Sequence, residues 1–238
     1  MKKRRLMKIN VAFNRDCMEA MKEFPDGFFE LAVVDPPYGI GYDKAIENQG
    51  GTRFGNAKTA KRDYHVTGWD KEIPTAEYFT QLFRVSKNCI IWGGNYFTDF
   101  LPPSKGFICW DKRVDNTMSN DFADCEYAYM SKGLGVARVF RYVWNGMLQG
   151  DMKNKEDRFH PTQKPVALYR WIYQHYAKRG DKILDTHLGS GSSRIAAYDA
   201  NLDFWGYEID KTYFDLQEER FARHTAQTSL FIDLKGDN

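Results

Sequence analysis

The stretch from Lys182 to Glu208 restricts the fold of this 238-residue chain more than any other. Lys182-Ile183-Leu184-Asp185 is a short apolar run of strand type. It leads into Gly189-Ser190-Gly191-Ser192, a turn whose glycines reach backbone angles that side chains resist. Ile195, Ala196, Ala197 and Tyr198 then predict a helix, Phe204-Trp205-Gly206-Tyr207 a second strand, and Glu208 ends that strand with a carboxylate. A strand, a Gly-x-Gly turn, a helix and a strand closed by an acid form the layout of a nucleotide-binding βαβ unit. The glycines let backbone N–H groups approach a ligand at the helix N-terminus, and the acid can accept both hydroxyls of a ribose. A plain tight turn satisfies the same residues without a ligand. The turn carries no lysine, so it is not one that cradles a triphosphate.

The remaining chain alternates in the same way, which predicts an α/β domain with a mostly parallel sheet. Leu31-Ala32-Val33-Val34 is stopped by Asp35-Pro36-Pro37, which neither strand nor helix can continue. Thr75 is placed to cap a helix reaching about Ser86, with Tyr78, Phe79, Leu82 and Phe83 on one face. Cys89–Trp92 and Phe107–Trp110 read as further buried strands. Pro165 suits the start of a helix to about Lys178, and Asp210 the cap of a last one. Residues 39–73 and 131–163 resist the pattern and are expected as loop insertions within a single domain spanning 1–238. Loops that long inside a compact domain are usually functional.

The formal charge is +2, from 34 basic and 32 acidic residues. That excludes a polycation acting through whole-molecule charge, so any nucleic-acid contact must be local. Arg53, Lys58, Lys61 and Arg62 provide such a patch, with no acidic residue from 48 to 62. Phosphate attraction is one use for it, and a solvated loop is the plainer one. No apolar run is long enough for a membrane span, and no apolar segment follows the basic Met1–Arg5 as a signal peptide would require. Cys17, Cys89, Cys109 and Cys125 stand singly, as buried thiols of a reducing compartment do, and neither they nor the five histidines have metal-binding spacing, so no metal is expected.

Asp35-Pro36-Pro37-Tyr38 follows directly on a predicted buried strand, where ligands sit in open α/β sheets. Two prolines stiffen the turn. The Asp35 carboxylate and the Pro36 carbonyl become fixed acceptors beside the flat face of Tyr38, which suits a planar amine such as a nucleobase. A proline-rich turn with a surface aspartate and a packing tyrosine accounts for the same residues.

The Asp-Pro-Pro-Tyr turn and the Gly-x-Gly unit together resemble the S-adenosylmethionine-dependent amino-methyltransferases of DNA. Catalytic motif first and cofactor turn last is the order of their β group. The resemblance extends over roughly residues 10–225. His160-Pro161-Thr162-Gln163-Lys164-Pro165 looks like the segment preceding that family's cofactor strand. Ile91-Trp92-Gly93-Gly94-Asn95-Tyr96 resembles its fifth-strand motif. Asp16 stands where the family has an acid facing the adenine of S-adenosylmethionine. His187 replaces the usual phenylalanine and reads as a packing residue or cofactor neighbour. The resemblance implies catalysis at Asp35, Pro36, Pro37 and Tyr38. It implies cofactor contacts at Asp16, Lys164, Pro165, Asp185, His187, Gly189, Ser190, Gly191, Ser192 and Glu208.

The fold so implied is a circularly permuted, Rossmann-like methyltransferase sheet of seven strands, in which residues 10–15 pair beside the strand ending at Glu208. The implied activity is methylation of adenine N6 in double-stranded DNA after base flipping, in the cytoplasm of a bacterial or phage-infected cell. Cytosine N4 is the alternative target, and an inactive DNA-binding protein on the same fold is a second alternative. An NAD-dependent oxidoreductase shares the βαβ unit but leaves Asp-Pro-Pro-Tyr unexplained. A homodimer is compatible with the resemblance. Gln227-Thr228-Ser229-Leu230-Phe231 looks like the peptide by which bacterial proteins dock on the replication sliding clamp, while a final strand or packed tail is the plainer and favoured account of so short a motif.

Overall fold

The computed structural model describes residues 9–42, 53–54, 57–58, 68–114, 123–145 and 148–236. Strands β1 (Asn10–Asn14), β2 (Leu31–Val34), β5 (Cys89–Trp92), β6 (Gly106–Asp111), β7 (Cys125–Met130), β8 (Arg138–Arg141), β11 (Lys182–Asp185) and β12 (Asp203–Glu208) form one sheet. Its order is β1-β12-β11-β2-β5-β7-β6-β8. Only β7 runs against the others. Two-residue pairs, β3 (Arg53–Phe54) with β4 (Ala57–Lys58) and β9 (Trp144–Asn145) with β10 (Leu148–Gln149), lie apart from it.

The expected permutation is present. β1 pairs in parallel with β12, Asn14 opposite Glu208, although the two lie at opposite ends of the sequence. Helices α1 (Cys17–Met21), α2 (Ala76–Val85), α3 (Val166–Tyr176), α4 (Ser192–Asp199) and α5 (Lys211–Gly236) cover the sheet. β2 and β5 are buried throughout because their two faces meet different helices. Leu31, Val33, Ile90 and Trp92 join the core formed with α3 and α4. Ala32, Val34, Cys89 and Ile91 join the one formed with α1 and α2. Strands buried on both sides read as unbroken apolar runs, which is why they were visible in the sequence.

Four expectations are corrected. The 131–163 stretch is not irregular throughout, since β8 adds an eighth strand beside β6. Trp144 and Gln163, within the same stretch, are buried and joined by a 2.8 Å hydrogen bond from the indole N–H to the Gln163 carbonyl. Phe107–Trp110 is not buried throughout, because β6 alternates with Phe107 exposed. Of the four thiols only Cys89 is buried, and Cys125 is exposed. Residues 227–231 continue the backbone of α5 rather than forming a strand. Lys61 and Arg62 lie outside the described residues, and Arg53 and Lys58 are described as strand backbone alone. Among the described residues, no helix is long and apolar enough to cross a membrane, and no group of His, Cys, Asp and Glu could hold a metal ion.

One buried cation ties the permuted ends together. Arg194 of α4 donates to Asn10 of β1 at 2.9 Å, and to Gln217 and Glu218 of α5 at 3.0 and 2.5 Å. Its guanidinium also lies 4.0 Å from the Phe221 ring centroid. Replacing Arg194 by Ala strands the buried Gln217 amide and should cost about 2 kcal/mol. Thermal unfolding should then shift down by roughly 4–8 °C, and an unchanged midpoint would show that the tie is not stabilising.

Candidate active site

Parallel strands bring their C-terminal ends to one edge of the sheet. The chain leaves β11 toward β12 and leaves β2 toward β5, so the order reverses between β11 and β2. Ligands bind at such a reversal in open α/β sheets. Asp35 follows β2, Asp185 ends β11, Glu208 ends β12 and Asp16 follows β1.

At the β2 end, Tyr38 donates its hydroxyl to Asp35 Oδ1 at 2.7 Å. The Lys164 ammonium donates to Asp35 Oδ2 at 2.5 Å and lies 3.3 Å from the Tyr38 hydroxyl oxygen. It also meets Glu126 of β7 at 3.2 Å, and Glu126 in turn accepts from Lys112 at 3.0 Å. Four charges therefore alternate in a row. The Lys164 side chain is 4% exposed and that of Asp35 17%. Burial alone would lower the Lys164 pKa, but the Asp35 and Glu126 carboxylates reverse this and hold it above its ordinary value. Burial raises Asp35 against the opposing pull of Lys164. The Glu126 carboxyl, which desolvation would raise, is held at about 2 by Lys164 and Lys112. The Lys164 ammonium and the Tyr38 hydroxyl both donate to Asp35, so its carboxylate stands as the acceptor of this group.

The Tyr38 ring stacks on Tyr96 at 4.9 Å and 16°. It passes so close to Gly93, which has φ +71°, that a Cβ there would fall 2.2 Å from the ring. Gly93 follows β5 in the segment that resembled a family motif, and this close approach is its physical role. Pro36 is buried directly behind Asp35.

At the β11 end, Gly189 and Gly191 have φ +50° and +74°. Glu208 accepts the Gly189 N–H at 2.8 Å and the Asp210 N–H at 2.9 Å. Asp185 accepts the Ser193 hydroxyl and, at 3.1 Å, the His187 N–H. Burial raises its pKa to about 7 despite both bonds. His187 is held at about 4 by burial, lies 2.9 Å from the Thr186 hydroxyl and packs edge-on against Tyr78. Asp16 is exposed and caps α1 through a 2.6 Å bond from the Met18 N–H. Ile209, next to Glu208, is 71% exposed. A carboxylate, an exposed aliphatic side chain and a glycine turn are the groups a nucleoside requires: acceptors for its hydroxyls and an apolar face for its base. The residues present fit one.

The two halves are braced to each other. Arg220 of α5 donates to the Ser190 carbonyl at 2.8 Å and the Ser192 hydroxyl at 2.9 Å within the turn, and to Glu156 at 2.6 Å. Glu156 accepts the Val166 N–H at 2.9 Å, just beyond Lys164 and Pro165, where Pro165 forms the N-cap of α3. Ser192 opens α4. The resemblance grouped Lys164 with the cofactor contacts, whereas its amine is directed to Asp35. Glu126, Glu156 and Arg220 were not singled out from sequence. The one available sign was Glu126, a lone charge inside the otherwise uncharged run Cys125–Met130.

The family model described as DNA methylase, for N6 and N4 methyltransferases, matches residues 131–219. M.HpaI, a type II methyltransferase of Haemophilus parainfluenzae, is 21% identical over 234 residues, covering 86% of this chain and 72% of the relative. The structure of TTHA0409 from Thermus thermophilus, complexed with S-adenosyl-L-methionine, matches with a TM-score of 0.58 at 17% identity, over 91% of this chain and 94% of that one. The PvuII DNA methyltransferase, specific for cytosine N4, matches with a TM-score of 0.53 at 11% identity, over 90% of each chain.

An aspartate whose folded-state pKa exceeds its unfolded value binds its proton more tightly when folded, so ionisation costs the fold stability as pH rises. For Asp185 that window runs from the ordinary 3.8 to about 7. Asp185→Asn can keep the Ser193 and His187 contacts and should gain stability over the parent progressively across this window. Thermal melts at stepped pH check this, and a constant difference between the two proteins would contradict it.

Proposed function

We propose that this chain, which belongs to the N6/N4 family of DNA methylases, is an S-adenosylmethionine-dependent DNA methyltransferase that acts on the N6 amine of adenine. One observation carries the reading. A carboxylate paired with a buried lysine stands at the sheet's reversal point, on the same sheet edge as a glycine turn with a ribose-type acid.

The exocyclic amine of adenine is a weak nucleophile because its lone pair is delocalised into the ring. Asp35 and the Pro36 carbonyl each accept one N–H, which draws the nitrogen toward a pyramidal shape and localises the pair. An ionised carboxylate has about four acceptor sites, so Asp35 keeps capacity beyond the Tyr38 and Lys164 bonds. Tyr38 offers its ring to a base turned out of the duplex. When bound, S-adenosylmethionine supplies an activated methyl on its sulfonium. Glu208 and Asp16 would hold its nucleoside beside the turn from Gly189 to Ser192. After transfer, the surplus proton on the nitrogen passes to Asp35, whose raised pKa suits it to receive one. Asp rather than Ser at the first position of the motif supports adenine N6 over cytosine N4. The basic residues Arg53, Lys58, Lys61 and Arg62 supply phosphate contacts.

Variants separate the two halves. Asp35→Ala should reduce methyl transfer about 10³-fold while cofactor affinity stays within a few fold. Glu208→Ala should weaken cofactor binding first. Equal effects on both quantities in both variants would show the roles are misassigned. Lys164→Met removes the cation that restrains the Asp35 pKa. Activity needs the ionised carboxylate and fails as pH falls, so in this variant the loss should begin at higher pH than in the parent. A pH–rate profile with an unmoved acid limb would contradict the role of Lys164.

A further inference from the structure

Asp70 is 1% exposed, lies in no helix or strand and belongs to neither half of the site described above. Its Oδ1 accepts the backbone N–H of Tyr38 at 2.8 Å and of Gly39 at 2.9 Å. Its Oδ2 accepts the N–H of Tyr42 at 2.9 Å. Its own carbonyl accepts the N–H of Gly41 at 3.0 Å. Four of the five amides from Tyr38 to Tyr42 therefore end on one residue. The side chain meets donors alone, which is what an ionised carboxylate, an acceptor at every position, can satisfy. An asparagine would turn an NH2 against one of them. A buried carboxylate without such donors would be costly.

The chain can wrap Asp70 because Gly39 and Gly41 have φ +69° and +66°. At Gly39 the approach is also close, since a Cβ would lie 3.0 Å from Ile73 Cγ2 and 3.1 Å from the Ile73 nitrogen. The residue whose amide is held is Tyr38, which also donates to Asp35 and stacks on Tyr96. Tyr38 is thus fixed at its backbone, its ring and its hydroxyl, and Asp70 supplies the backbone restraint.

We propose that Asp70 is a positioning residue for methyl transfer: it holds the chain after the Asp-Pro-Pro-Tyr turn so that the Tyr38 hydroxyl meets Asp35 and the Tyr38 ring faces the target base. The inference rests on the reading of this site as an amino-methylating one. It adds a residue that touches neither substrate nor cofactor.

The test compares Asp70→Ala, Asp70→Asn, Tyr38→Phe and the double variant Asp70→Ala/Tyr38→Phe with the parent, in kcat, cofactor Kd and amide hydrogen exchange. Misplacement by about 1 Å can cost 10²-fold in rate, so Asp70→Ala should lower kcat by about that factor with cofactor Kd within about twofold. Asp70→Asn, keeping one oxygen for Tyr38 and Gly39, should lose about tenfold or less. Tyr38→Phe should cost little more in the Asp70→Ala background, because the hydroxyl is already displaced. Exchange should quicken at residues 38–42 and stay unchanged in β2 and β11. An unaltered kcat, a parallel loss of cofactor binding, or additive effects with Tyr38→Phe would each overturn the role. If the parent transfers no methyl to DNA, the functional reading fails. Exchange at residues 38–42 then decides the positioning role alone, and unchanged exchange there would overturn it.

Discussion

The ion pair between Asp35 and Lys164 is the contact on which the rest of the site depends. It joins residues 129 positions apart, one at the end of β2 and one just ahead of α3. Buried ion pairs are poor sources of net stability, because desolvation offsets much of the attraction. Their value here is chemical. A carboxylate enclosed near the sheet's reversal point takes up a proton more readily, and a protonated Asp35 would be a weaker acceptor with no capacity for the proton an amine gives up. Lys164 opposes that uptake. Glu126 and Lys112 extend the row so that positive and negative charges cancel pairwise, which makes one buried and three partly buried ions tolerable.

The fold places that pair opposite the glycine turn by parallel pairing alone. Because β1, β12, β11, β2 and β5 all run the same way, every chain segment that follows them emerges at one edge. The permutation changes which end of the sequence supplies each strand but not where the strands lie. Arg220 and Glu156 then connect the turn to the helix start beyond Lys164, so the two halves share one hydrogen-bonded frame. Arg194 performs the same service between β1 and α5.

Much of this was legible in the sequence, for physical reasons that also mark its limits. Strands buried on both faces announce themselves as apolar runs, and Asp35, Asp185 and Glu208 stand at their ends, where the apolar pattern stops. The Gly-x-Gly turn carried its own signature in residues that bear no Cβ. β7 and β8 were missed because they lie toward the sheet's edge and mix Glu126, Arg138 and Arg141 with aromatic residues, so neither a clean alternation nor an apolar run appears. The Lys164–Asp35 contact and the Asp70 clamp were beyond reach for another reason. Both are tertiary meetings of polar groups, and no local period or spacing encodes which carboxylate a distant lysine will find. Resemblance located the segment carrying Lys164 but not the direction of its side chain.

The most direct test of the central claim is the chemical identity of the product. The protein is incubated with double-stranded DNA and S-adenosylmethionine labelled in its methyl group, and the DNA is digested to nucleosides. Label in N6-methyl-2′-deoxyadenosine is the result expected from Asp35 acting on an adenine amine. Label in N4-methyl-2′-deoxycytidine, or none in DNA while the cofactor still binds, would contradict it.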